Sequence, residues 1–259
     1  MALTDDQIER YARHIRLANV GLGGQAKLLA AKVLVIGAGG LGSPLIQYLT
    51  AAGVGTVGIV DDDIVDISNL QRQVLHATEH IGMAKVKSAE KGARAINPEV
   101  NINSHTLRLT ADNARTLIRD YDVIADGSDN FETRFLINDA CFFEKKTLVS
   151  AAVLSFDGQL SSYKPHDGGP CYRCLHPEPP PASDVWTCEQ AGILGAVAGV
   201  MGTLQATEVL KEILGIGKGM AGRLLIYNSL DLTQRVVKLT PDPDCALCSD
   251  RATITDVGK

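Results

Sequence analysis

Asn69, Arg72 and Gln73 crowd into "DISNLQRQ", just behind a strand-like segment that ends in Asp61. One guanidinium and several carboxamides at that spacing can clamp a polyphosphate; the alternative is a solvated surface turn. With "SNLQRQV" helical behind an N-cap at Ser68, spacings of three and four put Asn69, Arg72 and Gln73 on one side. Leu70 and Val74 then share the opposite stripe. Lys85 falls in the first turn of a helix expected over 83–96, where a cation opposes the helix dipole, so it calls for an anion outside that helix. Lys87 is the competing candidate. Asp129, in "GSDN", follows another expected strand, and a carboxylate facing a triphosphate acts through Mg²⁺. A turn-forming aspartate is the alternative.

"GAGGLG" (37–42) fits the G-x-G-x-x-G pattern between a strand and a helix. Gly37 and Gly39 allow close backbone approach, and Gly42 allows the helix to pack on the strand. Amides near Gly39 and Gly40, at a helix N-terminus, suit a phosphate. Asp61 ends the next strand, where a carboxylate accepts from ribose hydroxyls. The loop alone does not choose between a nicotinamide dinucleotide and another nucleotide. The polar run after Asp61 is idle under the first choice.

Cysteine spacing points to metal. Cys171/Cys174 in "CYRC" and Cys245/Cys248 in "CALC" repeat C-x-x-C, and four thiolates suit tetrahedral Zn²⁺. Four protein ligands leave no open position, so the zinc is structural and ties the C-terminal tail to the body. Redox pairs or free thiols are the alternative. Cys141 sits in an apolar helical context and reads as core. Cys188 follows the proline-rich loop "HPEPPPASDVW" and precedes a helix, whose N-terminus lowers a thiol pKa.

The elements that must position these groups alternate between two periods. Segments at 32–37, 56–61 and 147–153, one near 100–107, and 122–130 running into a turn, read as strands of a mostly parallel sheet, the first a short apolar run buried on both faces. Helices are expected at 4–15 (capping box Thr4/Gln7), 41–53, 83–96, 110–119 and 131–144. Beyond about 150, "GQLSSYK", "RLLIYN" and "QRVVKL" read as antiparallel strands around a long helix at 191–214. The fold class is α/β: a doubly wound, mostly parallel, Rossmann-like sheet that continues into antiparallel strands. Two lobes are expected, a nucleotide-binding one over 1–150 and a second, zinc-bearing one over 151–259.

Hydrophobic residues make up 45% and charged residues 21% of the 259, with a net charge of −5. That balance is ordinary for a soluble globular chain, and the acidic charge disfavours nucleic acid and anionic membranes as partners. The most apolar stretch, 191–206, is short and glycine-rich for a membrane span, and the acidic start does not look secretory. A cytoplasmic location is expected.

"RYARHI", "GAGGLGS", "DDDIVDISNLQRQ", "GMAKV", "DGSDN", "CYRC", "TCEQAG" and "GVMGTLQATEVLK" together resemble the MoeB–ThiF–HesA family, bacterial relatives of ubiquitin-activating enzymes. The resemblance implies ATP-dependent adenylation of the C-terminal glycine of a small ubiquitin-like sulfur carrier protein, for molybdopterin or thiamin synthesis. It implies that Asp61 holds the ribose, that Asn69, Arg72, Gln73 and Lys85 hold phosphates, and that Asp129 holds Mg²⁺. Arg13 would reach across a homodimer to the partner's ATP, Cys188 would be a candidate for a covalent bond to the carrier, and 175–187 would cover the carrier's tail. The eleven residues after Cys248 leave no room for a sulfurtransferase domain, so sulfur is expected from a separate donor protein. A nicotinamide-dependent oxidoreductase and a non-catalytic scaffold are the competing classes.

Overall fold

Thr4 opens the first helix with reciprocal caps: its hydroxyl accepts from the Gln7 N–H, and the Gln7 carboxamide accepts from the Thr4 N–H. The expected single helix over 4–15 is two short ones, α1 (Asp5–Arg10) and α2 (Ala12–Ile15). Between them Tyr11 is buried, and its hydroxyl accepts from the Asn97 carboxamide at 2.8 Å. The computed structural model describes residues 3–181 and 188–258, with the backbone alone at Cys188 and Glu189.

The βα alternation follows: α3 (Gly21–Ala30), β1 (Lys32–Ile36), α4 (Gly42–Ala51), β2 (Thr56–Val60), α5 (Lys85–Ile96), β3 (Asn101–His105), α6 (Ala111–Arg119), β4 (Val123–Asp126), α7 (Phe131–Phe143) and β5 (Thr147–Leu154). The remainder is β6 (Asp157–Tyr163), α8 (Tyr172–Leu175), α9 (Cys188–Ala191), α10 (Gly195–Leu214), β7 (Arg223–Asn228) and β8 (Thr233–Lys238). All eight strands form one sheet, in the order β3-β2-β1-β4-β5-β6-β7-β8. Pairing is parallel from β3 through β5 and antiparallel from β5 through β8.

Period-two alternation explains why the central strand β1 is apolar after Lys32. In β1, Val33 and Val35 join one core with α4, α5 and α10, while Leu34 and Ile36 join the other with α6 and α7. Both faces are dry, so no position in the strand wants a polar side chain. Helices on both faces of a sheet whose order reverses between β1 and β4 make the doubly wound arrangement expected.

Two local expectations change. The run after Asp61 is not a regular helix capped by Ser68: a three-residue 3₁₀ turn, Ile67–Asn69, is capped by the Asp66 carboxylate and gives way to turns. The expected stripe is therefore inverted, with Gln73 buried and Val74 60% exposed. The long helix starts at Gly195 rather than 191, because Gly192 is left-handed (φ +73°) and the Leu194 N–H turns to the Ser155 carbonyl. No described helix is long and apolar enough to cross a membrane.

Candidate functional site: a cleft at the strand-order reversal

β1 and β4 lie side by side, and the chain leaves them in opposite directions. Loops at the carboxyl ends of such strands diverge and leave a crevice. The crevice is present: a cleft of about 680 Å³, within the range of small-molecule sites, lined by Gly37, Gly39, Gly40, Asp61, Arg72, Gln73, Lys85 and Asp129 among others. These eight sequence-selected positions thus come from five separate segments to one wall. The cleft continues along β5 and β6, past Ala151–Ser155 and Asp157–Ser161, toward Leu175 and His176.

The glycine loop is tightly built. Gly37 has φ +95°, and a Cβ there would sit 2.9 Å from the Gly127 carbonyl oxygen. A Cβ on Gly42 would lie 2.0 Å from the Gly37 carbonyl oxygen, so Gly42 serves helix–strand packing and does not line the cleft. Asp61 braces the loop from the next strand: its carboxylate accepts from the Ala38 N–H at 2.8 Å and the Asp63 N–H at 2.9 Å. Burial pushes the Asp61 carboxyl up, and the Lys85 ammonium and these two amides pull it back down.

Lys85 is buried, and its ammonium meets the Asp63 carboxylate at 2.7 Å. An anion from outside its helix was expected; in the structure Asp63 supplies one. Lys87 is turned away, paired with Glu90 on its own helix at 3.1 Å. Arg72 donates to the Ser68 carbonyl at 3.2 Å and, among the described residues, has no carboxylate partner. The Gln73 side chain is buried with Oε1 unpartnered among the described residues. A buried amide oxygen without a partner costs about 1–3 kcal/mol, so a water or a ligand group there would be stabilising. Asn69 stays outside the cleft wall, its amide on the Ser68 hydroxyl at 3.4 Å.

Asp129 is exposed at the cleft edge, behind a loop held from below. The buried Asp126 carboxylate accepts from the Ser128 N–H (2.9 Å), the Ser128 hydroxyl (2.6 Å) and the Ser150 hydroxyl (2.8 Å). Arg134, buried on α7, donates to the carbonyls of Ser128 and Ala151 and so ties the Asp129 loop to β5. Sequence reasoning passed over Asp126, Ser128 and Arg134. The D-x-S turn was a readable signal, but nothing local marks Arg134 as an interior cation.

Arg13 is exposed on α2 and lies outside the cleft wall of its own chain. Cys188 opens α9, and its side chain is outside the described residues, as are 182–187 of the proline-rich loop. Cys141 is buried in α7, as expected of a core residue, and burial pushes its thiol up.

The two C-x-x-C pairs converge. Cys171 Sγ lies 3.9 Å from Cys174 and 3.6 Å from Cys245, and Cys174 lies 3.4 Å from Cys248. Zn–S bonds of about 2.3 Å in a tetrahedron separate the sulfurs by about 3.8 Å, so the set fits one zinc ion. Leu247, Phe142, Phe143 and Ile254 pack around the cluster, anchoring the tail on the end of α7.

Comparison with known proteins fits this geometry. The chain is 50% identical over 257 residues to bovine (Bos taurus) "Adenylyltransferase and sulfurtransferase MOCS3", covering 99% of this chain and 56% of that protein. The chain therefore spans about half the length of those relatives. It is 46% identical to the "Sulfur carrier protein adenylyltransferase" of Thermus thermophilus, covering 98% of this chain and 95% of that one. Crystal structures of E. coli MccB share the fold. The structure with MccA-N7isoASN gives a TM-score of 0.80 at 20% identity, over 94% of this chain and 75% of that one. The structure with ATP gives 0.80 at 21%, over 92% and 74%. The ThiF family profile matches residues 11–247. The chain belongs to the ThiF family.

Proposed function

We propose that this chain uses ATP to adenylate the C-terminal glycine of a small ubiquitin-like sulfur carrier protein, releasing pyrophosphate. The observation that carries the reading is the pair Arg72 and Gln73, which bring unused hydrogen-bonding capacity to the cleft beside the Gly39–Gly40 loop. That pair has no use in a dinucleotide site built on Asp61 alone. The name of the 46%-identical Thermus protein supports the same activity.

In this reading Asp61 accepts from the ribose, amides of Gly39 and Gly40 meet phosphate oxygens, and Arg72, Gln73 and Lys85 hold the polyphosphate. Lys85 then shares its charge between Asp63 and phosphate. Asn69 acts from outside the wall, through Ser68. The nucleophile is the carrier's terminal carboxylate, with an ordinary pKa of about 3.5, so it arrives ionised and needs no general base. Its oxygen attacks the α-phosphorus, the α–β bridging P–O bond breaks, and the electron pair leaves with pyrophosphate. The chain's work is to bring an anion to a polyanion, by positioning and fixed positive charge. Mg²⁺, when bound at the exposed Asp129 carboxylate, would supply further neutralisation of phosphate charge.

A homodimer is part of the proposal, because Arg13 is exposed and unpaired by any described carboxylate and would complete the partner's site. The lobe over 151–259 would seat the carrier, its tail extended along β5 and β6, under the 175–187 segment. Sulfur would come from a separate protein, the zinc would be structural, and the setting cytoplasmic. Cys188 remains in the proposal as a thiol for covalent attachment of the carrier; unchanged sulfur delivery by Cys188→Ala removes it. The test of the whole reading is intact-mass analysis of molybdopterin-type and thiamin-type carriers after incubation with ATP. An adenylate on one carrier, absent when its terminal glycine is deleted, is expected. Tight binding of NAD with no ATP binding overturns the proposal.

A further inference from the structure

Six histidines are scattered through the sequence without a shared motif, yet two of them meet over one serine. His76 Nδ1 lies 2.8 Å from Ser88 Oγ, and His80 Nδ1 lies 2.8 Å from the same oxygen. The other ring nitrogen of His76, Nε2, lies 2.9 Å from the Ala38 carbonyl oxygen, inside the glycine loop. All three side chains are buried, Ser88 completely.

Hydrogen-bond arithmetic fixes the protons. A carbonyl only accepts, so His76 Nε2 carries a hydrogen. Burial chiefly disfavours a further proton on that ring, opposed by the Ala38 hydrogen bond and helped by the Lys85 ammonium, with the net direction downward, which leaves Nδ1 as an acceptor. The single Ser88 hydrogen then goes to His76 Nδ1. His80 Nδ1 must in turn donate to Ser88 Oγ. The relay runs one way, from His80 through Ser88 and His76 to the Ala38 carbonyl. The charged groups around it are Lys85 and Asp61 beside His76, and Glu79, whose carboxylate is 3.6 Å from His80 Nε2.

The Ala38–Gly39 peptide is planar and trans, so its C=O and N–H point in opposite directions. Drawing the carbonyl inward onto His76 aims the Gly39 N–H away from the relay, and Gly39 lines the cleft. The Ala38 N–H is already committed to Asp61, so the peptides on both sides of Ala38 are held. Resting on the nucleotide reading above, we propose that His76 is a positioning residue: locked as its Nε2–H tautomer by Ser88 and His80, it orients the 38–39 peptide so that the Gly39 N–H is presented to a phosphate of ATP.

The test uses the zinc-loaded 259-residue chain and measures ATP affinity by calorimetry, carrier KM and Tm side by side. His76→Phe keeps ring bulk and loses the donor, and is expected to weaken ATP about tenfold, or about 1.4 kcal/mol, with carrier KM unchanged. His76→Gln returns a donor near the Nε2 position and is expected to recover ATP affinity to within about threefold of wild type. Nitrogen-15 spectra of the wild type without nucleotide are expected to show the His76 proton on Nε2. ATP affinity unchanged in His76→Phe, no recovery in His76→Gln, or a proton on Nδ1 overturns the inference. So does a loss of ATP and carrier affinity in step with Tm, which marks a merely structural ring. If His76→Phe does not fold, Ser88→Ala decides: the freed tautomer is expected to weaken ATP about threefold, and no change overturns the role. Failure of the wild type to bind ATP is a different result, since it removes the nucleotide reading and this inference with it.

Discussion

In the cysteine cluster four sulfurs face one another at 3.4–3.9 Å across the contacts between them, walled in by Leu247, Phe142 and Phe143. In the cleft, Arg72 makes one hydrogen bond, to the Ser68 carbonyl, and the buried Gln73 Oε1 has no partner among the described residues. The first region is a closed ligand set, complete once its metal is bound. The second is open on one side, and its buried Gln73 oxygen carries a cost that a ligand group or an ordered water would remove. A residue's chemistry alone would rank cysteines above glutamine as reactive groups. The geometry reverses that order: the sulfurs are enclosed against one another, and the carboxamide belongs to the wall of an open cleft.

The largest expected effect breaks the closed region. Zinc contributes roughly 10 kcal/mol or more to small zinc modules. A third of that lowers Tm by about 10 °C in a chain of this size. Cys248→Ser is therefore expected to lose stoichiometric zinc and melt at least that much earlier, while the purified folded fraction still binds ATP. Equal melting with zinc absent would separate the tail from the fold. Next comes Asp129→Ala, which should leave Tm unchanged and slow adenylation about 10²–10³-fold, or about 2.7–4 kcal/mol. Near-normal turnover would remove Asp129 from the metal-binding role.

Gly42→Ala sharpens the contrast between lining and packing, because its Cβ would meet the Gly37 carbonyl oxygen at 2.0 Å. It is expected to cost about 1–3 kcal/mol of stability by overpacking and to weaken ATP as the loop shifts. Thermal melts and calorimetry read both. The smallest effect lies beside the cluster. Glu144 is held below its ordinary 4.5 to about 2, by the Arg119 side chain first and Arg115 after it. Arg115 also pairs with Asp256 in the tail at 3.1 Å. A depressed carboxyl contributes fully above its unfolded pKa and loses that contribution as pH falls through its folded one. Glu144→Gln is thus expected to cost about 1 kcal/mol near neutrality, and the difference from wild type should vanish as pH falls from 4.5 toward 2. Urea melts across that window measure it.

Much of the scaffold was legible because its physics is local. Strands buried on both faces are mostly apolar, so β1, β2, β4 and β5 stood out despite Asp126 and Ser150, and the glycine loop and C-x-x-C pairs carry fixed spacings. The polar run misled for a local reason as well. Its helical stripe assumed 3.6 residues per turn, whereas the 3₁₀ turn capped by Asp66 rotates Gln73 inward and Val74 outward. The rest is long-range. Asp63 as the partner of Lys85, Arg134 under the Asp129 loop, and His76 under Ala38 join residues 6 to 38 positions apart across elements, with no pattern in the sequence to announce them.

ATP–pyrophosphate exchange, with a molybdopterin-type and a thiamin-type carrier added separately, tests the central claim most directly. The account predicts exchange that depends on one carrier and on its terminal glycine. Absence of exchange with both carriers, in folded zinc-loaded protein, would contradict it.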